Sequence, residues 1–103
     1  MVVAFTTTRP KGGDRAMWYI YVLQSAKNSR HYTGLTDDLK RRFHEHNSGQ
    51  GGEYTRDNRP YVLIYYEAYK HKKDAESAEK FYKSGVGREV IKNKLKNFLS
   101  QEK

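Results

Sequence analysis

No cysteine occurs among the chain's 103 residues, which excludes a disulfide framework, Cys-type zinc sites, iron–sulfur ligation and thiol catalysis together. That absence fits a reducing compartment, and the chain is expected in the cytoplasm. Long hydrophobic runs are also missing, and nothing approaches the roughly 18 consecutive apolar residues of a membrane-spanning helix. The run Val2 to Phe5 falls short of the ~7–15 apolar residues of a secretory h-region, and Arg and Lys follow it rather than precede it. Acidic residues are few: twelve Asp and Glu against twenty Lys and Arg leave a net charge of +8. Such a field attracts polyanions, nucleic acid first, although a basic surface also serves solubility alone. Apolar residues make up only 36% of the chain and the mean hydropathy is -1.03. Nine tyrosines compensate, because a few large aromatic side chains supply much of the burial and argue against disorder. The length fits one small domain, expected over residues 17–100.

Residues 1–16 hold a polar, Gly- and Pro-containing stretch with no period of either kind and are expected to form a disordered arm. Met17 stands just before the first patterned segment, so translation starting there is tested by the intact mass of natively purified protein. Trp18 to Leu23 is a β-branched and aromatic run of strand length, turn residues follow, and Arg30 to Leu35 resumes an extended pattern, together reading as an antiparallel hairpin. Thr36 is expected to cap a helix with Asp37 and Asp38 in its first turn and Asn47-Ser48-Gly49 as its stop. Tyr61 to Glu67 is an almost unbroken apolar run and reads as a central strand. A helix is expected from Asp74 to about Lys83, interrupted by Gly85 and Gly87. A final helix carries Ile91, Leu95, Phe98 and Leu99 as its apolar stripe. The order β-β-α-β-α-α implies an α+β domain, a small antiparallel three-stranded sheet flanked by helices.

Three features exceed what these elements need. Tyr19 and Tyr21 share one strand face, with Tyr32 able to lie across from them, and a tyrosine hydroxyl can position or accept a proton. Simple covering of the sheet is the alternative. Arg42 and His46 are one helical turn apart at the edge of the Leu39/Phe43 stripe, facing either solvent or an anionic ligand. Glu79 lies among Ala75, Ala78 and Tyr82 on the face that packs on the sheet, where a carboxylate needs a Lys, an Arg or a hard divalent cation. Glu76 is its more solvent-directed neighbour. His44 and His46, two apart on different sides of a helix, make no zinc pattern. Hydroxyls, an Arg, a His and one Glu on a basic body are the parts needed for phosphodiester hydrolysis, although spacing alone favours a nucleic-acid binder without catalysis.

These residues resemble the GIY-YIG nuclease superfamily. Tyr19-Ile20-Tyr21 stands at its first motif, with Tyr in place of Gly, and Tyr32-Thr33-Gly34 at its second, with Thr at the centre. Arg42 follows eight residues after the motif Gly, His46-Asn47-Ser48-Gly49 continues the helix, and Glu79 occupies the late helix of the family's metal-binding acid. With Trp18 and Tyr54-Thr55-Arg56 through Pro60, the chain is similar to the compact bacterial members grouped as an uncharacterised protein family. The resemblance spans about Met17 to Lys83. It implies a metal-dependent endonuclease acting on DNA with little sequence specificity, using one divalent cation, Mg2+ or Mn2+, on Glu79 and a substrate phosphate. Tyr21 or Tyr32 would deprotonate or orient water, Arg42 would stabilise the charged phosphate, and His46 would handle protons or contact phosphate. Asn93 is a candidate for the family's late Asn. The alternative is a non-catalytic nucleic-acid-binding module of the same fold, in which Arg41, Arg42, Arg56 and Arg59 grip phosphates. An interaction protein with an acidic partner is a third.

Overall fold

In a computed structural model that describes residues 17–52 and 56–101, the elements run β1 (Trp18–Ser25), β2 (His31–Thr36), α1 (Leu39–Ser48), β3 (Tyr61–Tyr69), α2 (Lys72–Lys83), α3 (Gly85–Lys94) and α4 (Lys96–Ser100). The expected arm over residues 1–16 lies outside the described residues. The α+β architecture is as the sequence implies, and the sheet is antiparallel throughout in the order β2-β1-β3. No helix among the described residues is long and apolar enough to cross a membrane.

The two-residue period of β1 divides the core. Tyr19, Tyr21 and Leu23 face α1, where they pack with Leu39, Phe43 and Tyr61. Ile20 and Val22 face the other way, onto Ala75 and Tyr82 of α2 and Ile91 of α3. The strand expected at the centre from its almost unbroken apolar run, β3, is an edge, and β1 is the centre. Both of its faces feed packed clusters, and that covering, rather than pairing on both sides, is what an unbroken apolar run reports. A bulge sets its faces: Val22 stands opposite Tyr65 but Leu23 opposite Leu63. The extra residue keeps Tyr61, Leu63 and Tyr66 on the α1 side and turns Ile64, Tyr65 and Tyr69 toward α2. There Glu67 accepts hydroxyl hydrogen bonds from Tyr65, Tyr69 and Tyr82, joining the edge strand to α2.

The cap of α1 is Asp38, not Thr36: the Asp38 carboxylate accepts from the Arg41 N–H at 3.1 Å, while the Thr36 hydroxyl accepts from Asp38 one step earlier. Asp37 and Asp38 therefore precede the first turn. The helix stops at Gly49, whose φ of 92° only glycine adopts readily. Asn47 fastens its last turn to β3 by bonding both the N–H and the C=O of Tyr61. Between α2 and α3 the break falls at Ser84, whose hydroxyl accepts from Gly87 N–H, and Gly85 and Gly87 form the first turn of α3 instead of interrupting a helix. A Cβ on Gly87 would lie 1.9 Å from the Phe81 carbonyl oxygen, so the two helices meet backbone to backbone. The expected final helix is likewise two pieces, α3 and α4, parted at Leu95.

Candidate active site

Tyr21 from the central strand, Tyr32 from β2 and His46 from the last turn of α1 converge on the α1 face of the sheet. Tyr21 Oη lies 2.9 Å from His46 Nε2. The Tyr32 ring meets the imidazole edge-on with centroids 5.0 Å apart, and the Tyr21 and Tyr32 rings are 6.5 Å apart. His46 is wholly buried. Two glycines make room for the pair. A Cβ at Gly34, directly opposite Tyr21 in the strand register, would come within 2.3 Å of Tyr21 Oη, and one at Gly51 within 2.3 Å of His46 Nδ1.

Burial pushes the Tyr21 hydroxyl up to about 12; the Arg42 guanidinium beside it draws it down, while Tyr32 and Glu79 add to the rise. Burial also drives His46 down to about 4, helped by the Arg42 charge and opposed by Glu45. At neutral pH the pair is thus a phenol and a neutral imidazole. With the ring proton on Nδ1, an atom without a hydrogen-bond partner among the described residues, the phenol donates to Nε2; with it on Nε2, the imidazole donates to the phenol oxygen. Arg42 is held in place by the Glu45 carboxylate at 3.0 Å and the Gly51 carbonyl at 3.3 Å. Both terminal nitrogens of its fork are therefore engaged, beside Tyr21.

Glu79 projects from α2 on the other side of the sheet, yet its charge reaches Tyr21. It is the partly buried carboxylate expected from the sequence, and its partner within the chain is Lys83, at 3.1 Å. No group of three or more His, Asp or Glu side chains able to hold a metal occurs among the described residues. That donor set does not suit zinc, which takes at least three protein ligands. It does suit a magnesium-like cation, which keeps most of its waters and binds through one or two carboxylates and substrate phosphates.

The three arginines expected to bind nucleic acid separate into two places. Arg56 and Arg59 both lie against Gly49 at the end of α1. Arg41 sits on the exposed side of α1, paired with Asp37 and Glu45. Asn93 is exposed on α3. Sequence reasoning missed Gly34 and Gly51 as the floor under Tyr21 and His46, Glu45 as the anchor of Arg42, Asn47 as the fastener to β3 and Lys83 as the partner of Glu79. The i,i+3 and i,i+4 spacings of the two ion pairs were the signal available for Glu45 and Lys83.

Residues 17–96 match the family model described as the GIY-YIG catalytic domain. The chain is 48% identical over 82 residues to the UPF0213 protein in ldhD 5'region of Pediococcus acidilactici, spanning 78% of this chain and 82% of the relative. It is 47% identical over 77 residues to a UPF0213 protein of Limosilactobacillus reuteri, covering 73% and 79% of the two chains. A UPF0213 protein of Pediococcus pentosaceus is 42% identical over 83 residues, covering 81% and 86%. No solved structure matches the chain.

Proposed function

We propose a reaction for the Tyr21–His46 cluster from one premise: the chain belongs to the GIY-YIG nuclease family. The proposed activity is metal-dependent endonucleolytic hydrolysis of phosphodiester bonds in DNA, with little sequence specificity. The observation that carries it is the 2.9 Å contact between Tyr21 Oη and a buried, neutral His46, with Arg42 alongside.

A phenol that stays protonated to about 12 is a poor base by itself. The imidazole gives its proton a destination. As an attacking water loses a proton to Tyr21 Oη, the original phenolic proton passes to His46 Nε2. The resulting hydroxide oxygen bonds to phosphorus, and the bond to the leaving oxygen breaks. Tyr21 ends neutral, and the proton gained by His46 then passes to the leaving oxygen or to solvent, which restores the neutral imidazole. Tyr32, edge-on to the imidazole, orients the water. Arg42 donates to the phosphate oxygens as their charge rises. Mg2+ or Mn2+ bound to Glu79 and the substrate phosphate would neutralise charge on the phosphate and on the leaving oxygen. Arg41, Arg56 and Arg59 hold flanking phosphates, contacts that position the duplex without reading bases.

The test is cleavage of labelled single-stranded, duplex and branched DNA and of RNA with magnesium or manganese, beside Arg42→Ala and Glu79→Gln proteins. Metal-dependent cutting lost in both variants supports the reading. A second reading, the non-catalytic binding module, is favoured by one observation: Glu79 and Arg42 are both already paired, to Lys83 and Glu45. Salt-sensitive binding without cutting of any substrate would select it.

A further inference from the structure

Beyond the cluster on the α1 face, the molecule has a cleft of about 720 Å3 on the opposite face of β2. The strand is the wall between them. Tyr32 points to His46, whereas His31 and Thr33, its neighbours in the two-residue alternation, belong to the other face with Val22 and Gln24, which also line the cleft. Basic side chains surround the opening: Arg30 just before β2 and His31 at its start, Lys83 from the end of α2, and Arg88 and Lys92 from α3.

Their pairing decides what the cleft can hold. Lys83 is neutralised by Glu79 and Lys92 by Glu89, at 3.1 and 3.5 Å. Arg30 and Arg88 make no ion pair among the described residues. Two guanidinium groups thus face one concavity without a counter-charge from the chain. Burial, with the Lys92 charge added, holds His31 below its ordinary value, so it is neutral at neutral pH and leaves the charge of the cleft to the arginines and lysines. A planar guanidinium binds phosphate oxygens in two parallel hydrogen bonds, which suits this pair to phosphodiesters. The cleft also adjoins the cluster through β2, since Tyr32, the strand's contact with His46, is among the residues that line it.

We propose that this cleft, with Arg30 and Arg88 as its phosphate ligands, holds the nucleic-acid strand beyond the scissile phosphate as it passes over the open edge of β2. The inference rests on the nuclease reading and adds a second binding site to it. It accounts for how so small a domain grips a strand: one phosphate is held at Arg42 and others at the cleft, on either side of a single edge strand.

The experiment is fluorescence anisotropy with a labelled 20-nucleotide single-stranded DNA in EDTA, from low to moderate salt. It compares wild type, the Arg30→Ala/Arg88→Ala double variant and a charge-matched Lys40→Ala/Lys73→Ala control. The expected result is about a tenfold or greater loss of affinity in the double variant and a salt slope shallower by about 1.4, from ~0.7 per lost phosphate contact on single strands. The control should lose far less. Where cleavage is measurable, the double variant should raise KM and leave kcat unchanged. Equal losses in the double variant and the control, or no loss in the double variant, overturn the cleft while leaving the nuclease reading intact. Wild type that binds no DNA at low salt overturns that reading and the cleft with it. Tighter binding of a glutamate-rich peptide than of the oligonucleotide would also overturn the proposal, making the cleft a protein-docking site.

Discussion

Tyr21 faces Gly34 across the β1–β2 ladder, and its hydroxyl occupies the space that any other residue at position 34 would fill with a Cβ. The hydroxyl reaches His46 only because that space is empty. Gly34→Ala should therefore swing the ring away, costing about 1–3 kcal/mol of stability through overpacking and, on the proposed mechanism, about a hundredfold in cleavage rate through misplacement. Tyr21→Phe should cost a similar factor in rate with a much smaller loss of stability. Denaturant melts beside single-turnover cleavage separate the two. An alanine at position 34 that leaves both quantities unchanged would show that the close approach is not needed.

His46 makes folding pH-dependent. Its imidazole titrates near 6.5 when unfolded and near 4 when buried, so the unfolded chain binds the extra proton between these values. Stability is complete above about pH 6.5 and falls as pH drops toward 4, by about 3 kcal/mol at the end of that window. Urea unfolding at pH 7 and pH 5 should show the loss, and His46→Gln should reduce it. The slope should not vanish, because His31 is also held down, by burial and by Lys92, and acts in the same direction.

The hairpin, the α1 stop at Gly49 and the shared face of Tyr19 and Tyr21 were legible because each follows from local chemistry: β-branched and aromatic composition, a left-handed residue, a period of two. The spacing of Arg42 and His46 likewise brought both to the Tyr21 side. What was not legible depends on registry between elements. The bulge between Leu63 and Tyr65 reverses the parity of β3, and no local pattern announces it, so the meeting of Tyr65, Glu67 and Tyr69 with Tyr82 could not be read from spacing. The edge position of β3 was hidden because apolar runs report covered faces, not paired edges. The cap passed from Thr36 to Asp38 because two adjacent hydroxyl and carboxylate acceptors compete, and only the chain's path out of β2 decides between them.

Glu67 is the polar joint between β3 and α2. Burial alone would raise its carboxyl, yet the three tyrosine hydroxyls outweigh burial and hold it below the ordinary carboxyl range. Its contribution is present at neutral pH and is lost as acid protonates it below that range. Glu67→Gln leaves one acceptor oxygen for three phenols and should destabilise the fold by about 1–3 kcal/mol, while Glu67→Ala should do at least as much. Thermal melts at pH 7 check this, and a melting temperature unchanged in both variants would show that the three hydroxyls are satisfied by water.

Gly87 carries a constraint of another kind. Its missing Cβ lets the first turn of α3 rest on the backbone of Phe81 and Tyr82, and neither a carbonyl nor a Cα can rotate aside as a side chain would. Gly87→Ala should therefore shift α3 as a unit and cost about 1–3 kcal/mol or more, whereas Gly85→Ala, with open space around it, should be neutral or stabilising through helix propensity. Equal effects from the two substitutions would place the contact elsewhere.

Lys83 occupies the carboxylate that the proposed cation needs. The Glu79–Lys83 pair is mostly on the surface, with Lys83 53% and Glu79 24% exposed, and such pairs contribute at most about 1 kcal/mol. Release of Glu79 by Lys83→Gln should therefore lower the magnesium concentration for half-maximal cleavage by no more than about fivefold. The same substitution removes a cation from the rim of the cleft, so DNA affinity measured in EDTA should fall. The two effects have opposite signs in two assays, which distinguishes them from a general loss of structure. A higher magnesium requirement in the variant would mean that Lys83 helps to assemble the site rather than competing for it, and Glu79 would then be held for a role other than metal binding.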